Sequence, residues 1–346
     1  MAWDEAMVNN GHTAMKLIVV IGVLVFLGLL LLSMLLKQSI KPNPRHRVVI
    51  RTKYSPFDSG RAFADLEKIL GFGPRPAGSE ASAVLRRYLK RELADAGLEL
   101  REYAFEAETP VGKRQMVNLT ATVRGSRPGL ILLGNHYDTK LFEDFAFVGA
   151  NDGGSTTAWM LEMARMYGPE REGRSVQLAW FDGEESFGPW SAVDGLYGSR
   201  AFVQGLREAG TLDTIDAMIN VDMIGDCYLH IFRDKQAAPW LEDVVWEKAR
   251  NLGYGAHFSR FARNIEDDHV PFRQAGIPCL ELIDFSYGGS LVEHRKNWHT
   301  ANDTVDKVCA ESLQAVADVL YHAVPAIERY LDSQGKEGHD RTRASG

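Results

Sequence analysis

From Leu17 to Leu36 the chain runs LIVVIGVLVFLGLLLLSMLL, about twenty residues without a charge, bracketed by Lys16 and Lys37. That length suits a helix crossing a bilayer core. A segment apolar on every side is also unlike the amphipathic helix of a soluble core. A cleaved signal peptide has a shorter apolar stretch ending in small residues, whereas Ser33 is followed here by Met34, Leu35 and Leu36. The expectation is a retained single span over 17–36. It lies between a short flank, 1–16, and a polar, proline-containing tether, 37–59.

From residue 60 the pattern becomes that of a folded domain, expected over 60–332. Phe63, Leu66, Ile69 and Leu70 recur at helical spacing, as do Ala81, Leu85, Tyr88, Leu89 and Leu93. Between them, 71–78 carries two prolines and three glycines and reads as a loop. Strands are predicted over 98–105, 115–123, 129–134, 176–181, 217–223 and 278–283. Helices are predicted over 155–167, 199–208, 241–252 and 311–331. The LILL run ending at Leu133 is the unbroken apolar pattern of a strand buried on both faces. Strands alternating with helices predict an α/β three-layer sandwich, a central mixed and mostly parallel sheet flanked by helices. The polar tail, 333–346, is expected to be disordered.

Composition narrows the partners. A formal net charge of -7 argues against nucleic acid, whose phosphates need a basic face. Cys227, Cys279 and Cys309 lie far apart with no C-x-x-C spacing, so a cysteine zinc site and a disulfide-dense scaffold are both disfavoured. One disulfide stays open, with buried free thiols the leading expectation. Downstream of the span stand Lys37, Lys41, Arg45, Arg47, Arg51 and Lys53. The positive-inside rule would keep that side cytoplasmic, but large domains can translocate regardless of flanking charge, so charge alone leaves the side open.

In open α/β sheets ligands bind beyond the carboxyl ends of the strands, and the polar motifs of this chain fall there. LILL leads into Gly134-Asn135-His136-Tyr137-Asp138. Gly149-Ala150-Asn151-Asp152-Gly153-Gly154 opens a helix. VQLAWF leads into Asp182-Gly183-Glu184-Glu185, and the next strand ends in Asn220-Val221-Asp222-Met223-Ile224-Gly225. Trp298-His299-Thr300 comes late, with Asp303 after it. Singly, each has a plainer role: Asp152 as a helix cap, Asp182 as a turn residue, the glutamates as solvated charge. Jointly, Asp152, one of the Glu184–Glu185 pair and His299 make the open three-ligand set of a catalytic zinc. Adjacent glutamates point in different directions, so one can hold metal while the other acts as base.

The order HxD, GxxD, DGEE, NxDMIG, WHT resembles the zinc-dependent aminopeptidases with two co-catalytic metals. Within that clan, Trp180 to Arg200 (WFDGEESFGPWSAVDGLYGSR), Ile265 to Phe272 (IEDDHVPF), Asn297 to Thr300 and the HYDTK run resemble the glutaminyl-peptide cyclotransferases. The resemblance spans Tyr54 to Tyr330. It implies one zinc on Asp152, Glu185 and His299, with Glu184 as acid/base. It also implies Asp222 and Asp267 as a hydrogen-bonded acidic pair beside Glu184, and Trp298 as a wall of the substrate pocket. Lys140, Phe285 and Tyr287 are expected to border that pocket, and Asp268 and His269 to shape the loop beside Asp267. The implied reaction converts the N-terminal glutamine of a peptide or protein to pyroglutamate and releases ammonia. In the aminopeptidase alternative, His136 and Asp222 would hold a second zinc with Asp152 bridging. The third reading is a non-catalytic interaction domain, which the intact set Asp152, Glu184, Glu185, His299 argues against. GANDGG is closer to the aminopeptidases than to the animal cyclases and points to a bacterial type. The family resemblance favours the extracytoplasmic side for the domain.

Overall fold

The computed structural model describes residues 46–289 and 296–344, with side chains through residue 334, and, before them, Phe26 and Gly28. The chain divides into Met1–Pro44 and Arg45–Gly346. The span expected over 17–36, apart from the helical Phe26 and Gly28, lies outside the described residues. Among the described residues no helix is long and apolar enough to cross a membrane.

The second unit opens with two capped helices. The Asp58 carboxylate accepts from Gly60 N and Arg61 N, each at 3.1 Å, and starts α1, Ser59–Leu70. Ser79 Oγ accepts from Ser82 N and starts α2, Glu80–Asp95. Such caps satisfy backbone donors that the first helical turn leaves without partners. Leu66 and Ile69 of α1 and Leu85, Leu89 and Leu93 of α2 are fully buried, as the helical spacing predicts.

The main sheet contains β1 (Leu100–Thr109), β2 (Gly112–His136), β3 (Glu170–Phe181), β4 (Ile215–Asp222) and β7 (Cys279–Ile283). The two strands expected over 115–123 and 129–134 are halves of the single element β2, and β3 lies between them. Val176 pairs with Val123 on one side and with Ile131 on the other. The first half runs alongside β1, antiparallel; the second half is parallel to β4, and β4 is parallel to β7. Leu133 faces Ile219 across the β2–β4 ladder, and both are fully buried. Truncating such a residue to alanine costs about 2–5 kcal/mol.

Helices α3 (Thr156–Tyr167), α4 (Tyr197–Glu208), α5 (Pro239–Asn251), α6 (His269–Gln274) and α7 (Ala310–Ala344) complete the mixed α/β domain. A two-stranded sheet, β5 (Ile231–Asp234) with β6 (Phe258–Arg263), and the short α6 were not legible in the pattern. Helix α7 runs on through Ala344, past Ser333 where a disordered tail was expected. An established helix adds residues at little cost, and no proline follows Pro325 to stop it. The leading expectation for the cysteines is overturned: Cys227 and Cys309 form a disulfide across a sequence separation of 82, and only Cys279 is a buried free thiol. Eighty-two residues of sequence hid a pair that folding brings to a Cα–Cα distance of 4.8 Å.

Candidate active site

Parallel pairing of β2, β3, β4 and β7 aligns their carboxyl ends. His136 pairs with Phe181, and Asp222 with Ile283. The chemistry-bearing loops therefore leave the sheet side by side.

Asp152 sits at a kink within Ala150–Ser155, where it and Gly153 leave helical φ/ψ, a path that two glycines make feasible. Gly149 has φ +54 and Gly153 φ +76. A Cβ at Gly149 would stand 2.3 Å from Asp152 O, and one at Gly153 2.6 Å from Asp138 O. Side chains other than glycine resist this backbone region. Asp303, from the loop after His299, clamps the turn. Its Oδ1 accepts from Asn151 N at 2.8 Å and from the Tyr287 hydroxyl at 2.7 Å, while its Oδ2 accepts from Asp152 N at 3.1 Å. Asp138 clamps the glutamates in the same way, accepting from Glu184 N at 3.1 Å and Glu185 N at 3.3 Å. Neither clamp had been given a role from sequence. For Asp138 the signal was present, since the i, i+2 spacing of His136 and Asp138 places both at one strand end.

The clustered side chains meet around Asp152. His299 Nε2 lies 2.9 Å from Glu185 Oε1 and 3.3 Å from Asp152 Oδ2. His136 Nε2 lies 3.2 Å from Asp152 Oδ1 and 3.2 Å from Asp222 Oδ1. Two groups of ligand atoms result, Asp152–Glu185–His299 and His136–Asp152–Asp222, each gathered within 4.8 Å. Asp152 contributes a different oxygen to each. Asp152 Oδ2 and His136 Nδ1 are buried without hydrogen-bond partners among the described residues, which a native interior tolerates only for a reason. Burial opposes the charge on Asp152, yet the imidazoles of His136 and His299 outweigh it and hold its carboxyl below the usual range. Burial likewise opposes protonation of His299, but Glu185 and Asp152 push it up to about 9. The nitrogen and oxygen donors of this set are those zinc accepts, and a divalent cation among them would take over the role of that proton. The residues fit the metal.

Glu184 is buried outside the first ligand group. Burial, then the charge of Asp267, raises its carboxyl well above the usual carboxylate range. The two acids expected as a pair are each held by their own partner. Asp222 Oδ1 accepts from Met223 N at 2.7 Å and faces His136; Asp267 Oδ1 accepts from Asn220 Nδ2 at 2.9 Å. They still sense one another: burial first, then Glu281 and Asp222, keep Asp267 well up.

Glu184, Glu185, Asp222, Trp190, Phe285 and Trp298 line one cavity of about 520 Å³, together with Asp152 and His299. Trp298 stacks on His299 at 3.8 Å between ring centres. Lys140 also lines it, its Nζ donating to Ser186 O and Oγ, each at 2.7 Å. Tyr287 does not border the cavity as expected; it lies fully buried behind, on Asp303. His269 is fully buried between Asp234, at 3.2 Å, and Glu281, at 2.9 Å, a structural position at the start of α6.

The family model described as peptidase family M28 matches residues 118–324. The glutaminyl-peptide cyclotransferase of Bothrops jararaca is 30% identical over 289 residues, covering 71% of this chain and 76% of that protein. That of Boiga dendrophila is 29% identical over 286 residues, covering 71% and 75%. Among solved structures, an Acidobacteriales bacterium glutaminyl cyclase is similar with 35% identity and a TM-score of 0.75, over 82% of this chain and 99% of that one.

Proposed function

We propose a function from one premise: the chain belongs to peptidase family M28, and it is a glutaminyl-peptide cyclotransferase, turning the N-terminal glutamine of peptides into pyroglutamate with release of ammonia. The observation that carries the chemistry is a buried glutamate, Glu184, lining one cavity together with the Asp152–Glu185–His299 group.

The roles follow from the residues. Asp152, Glu185 and His299 would hold one zinc, which when bound supplies a Lewis acid for the γ-carbonyl of the substrate. The substrate's α-amine nitrogen bonds to its own γ-amide carbon, and the bond from that carbon to the amide nitrogen breaks. Glu184 takes a proton from the attacking amine and returns it to the departing nitrogen, which leaves as ammonia. A carboxyl raised well above the usual range by burial and by Asp267 is suited to take up a proton and give it back. Burial and the charge of Asp267 keep Glu184 there, and Asp222, after burial and Glu281, in turn raises Asp267. Trp298 forms a wall that holds the glutamine side chain folded back on its amine, so orientation replaces a chance encounter.

A second reading rests on the His136–Asp152–Asp222 group. With a second zinc there, the site would be that of an aminopeptidase, and Glu184 would activate water against the first peptide bond. Incubation with a Gln-initiated and a Leu-initiated peptide separates the two. Ammonia from the first without shortening supports the cyclase; free leucine from the second refutes it.

Leu17–Leu36 is proposed to anchor the enzyme in a membrane as a single span. The Cys227–Cys309 disulfide supports an extracytoplasmic catalytic domain, because reducing compartments keep such thiols apart.

A further inference from the structure

The loop between β3 and α4 carries Trp190 to the mouth of the cavity. Asp194 pins that loop, accepting from Phe187 N at 2.9 Å, Gly188 N at 2.8 Å and the Tyr197 hydroxyl at 2.8 Å. The indole rests over Gly195, where φ is +117 and a Cβ would come within 2.9 Å of the ring. From there Trp190 Nε1 donates to Glu266 Oε2 at 3.3 Å. Both residues line the cavity that contains Glu184. Trp190 keeps 41% of its surface exposed, and Glu266 is exposed as well. Among the described residues no ion pair engages Glu266. Lys140, which lines the same cavity, is already committed to Ser186 and lies 3.8 Å from Glu185.

Glu266 is the chain neighbour of Asp267, whose charge acts on Glu184. The backbone thus passes from the reacting centre to the rim in one residue, a Cα–Cα step of about 3.8 Å. A peptide whose terminal glutamine reached Glu184 would direct its second residue toward the exposed part of the same cavity, where Trp190 and Glu266 stand. There it would meet the Glu266 carboxylate, which no ion pair engages among the described residues, and beside it a partly exposed indole whose N–H is directed to that carboxylate. That pair suits a cation, by charge and by cation–π contact.

We infer that Glu266 and Trp190 form a subsite selecting peptides whose second residue is lysine or arginine. The inference rests on the cyclase reading of the site and deepens it. Its test is the ratio of kcat/KM for Gln-Lys and Gln-Glu peptides, taken within each enzyme so that overall losses of activity cancel. The full chain should favour Gln-Lys by about tenfold at low salt, less at high salt, as partly exposed charges a few ångströms apart dictate. Glu266→Gln keeps an acceptor for the indole and removes the charge, and should bring the ratio to about twofold or below. Trp190→Phe, which keeps a ring, should leave most of the preference. An equal ratio in wild type and Glu266→Gln, or a wild type without preference, overturns the subsite. Calorimetric binding of the same peptides reads selection without turnover. No ammonia but a retained affinity ratio counts against the reaction; ammonia without any ratio counts against the subsite alone.

Discussion

Replacing Asp303 by asparagine tests whether the clamp on the ligand turn governs metal affinity. The carboxylate is 1% exposed and receives three donors, two on Oδ1 and one on Oδ2. Asparagine preserves the shape but turns one oxygen into an NH2 group. Facing Asn151 and Tyr287, that group would oppose the Asn151 N–H while the Tyr287 hydroxyl turns to accept from it; facing Asp152 N, it opposes that N–H. In either orientation one backbone N–H of the turn that carries Asp152, that of Asn151 or of Asp152 itself, loses its acceptor. A buried donor without a partner costs about 1–3 kcal/mol, and about 1.4 kcal/mol is tenfold in an equilibrium constant. Zinc affinity should fall roughly 10- to 100-fold, the range seen when groups orienting a ligand are altered. Competition against a chromophoric chelator at neutral pH measures it, with thermal unfolding of chelator-treated protein as a fold control. Zinc affinity within about twofold of wild type would show that the turn holds Asp152 without Asp303, and the reasoning would fail.

Glu184→Gln should lower turnover by about 10²–10⁴-fold, the usual share of general acid–base catalysis, while zinc content stays unchanged. Substantial turnover in the metal-loaded variant would remove Glu184 from the mechanism. Elemental analysis of the active protein should give about one zinc per chain if the cyclase reading holds and about two if the second group is occupied. Chelation should abolish turnover, and zinc should restore it. Exchanging Cys227 and Cys309 together for serine opens a loop of 82 residues, for which chain entropy predicts a loss of roughly 4–5 kcal/mol. Denaturant unfolding under oxidising conditions checks this, and a midpoint equal to wild type would contradict it.

Much of the site was legible because its residues follow strands that announce themselves. VQLAWF and LILL are apolar enough to be read as buried, and in a parallel sheet whatever follows such runs converges. Glu184, Glu185, Asp152 and His299 were therefore nameable together, and all four line one cavity. The clamps Asp138 and Asp303 were not, because their task is set by backbone N–H groups that become neighbours only in the folded chain. The same holds for the Cys227–Cys309 disulfide and for Tyr287, whose hydroxyl turns inward to Asp303 instead of lining the cavity. Short elements such as β5 and α6 carry too few residues for periodicity to register. The two halves of β2 were read correctly as strands, but their common neighbour was invisible, since sequence order says nothing of a later strand entering between them.

That insertion bears on how the chain reaches its native state. Until Phe181 has emerged from the ribosome, the ladder positions of residues 119–123 and 131–136 that will receive β3 are open edges. Such edges are templates for unwanted pairing, and contacts this distant in sequence form slowly. Glu184 and Glu185 lie immediately beyond the strand that closes the gap, so a chain arrested before β3 docks lacks the residues proposed here as acid/base and as metal ligand. Slow or misdirected docking of this one strand would therefore show as soluble loss or aggregation, and not as a well-folded inactive enzyme.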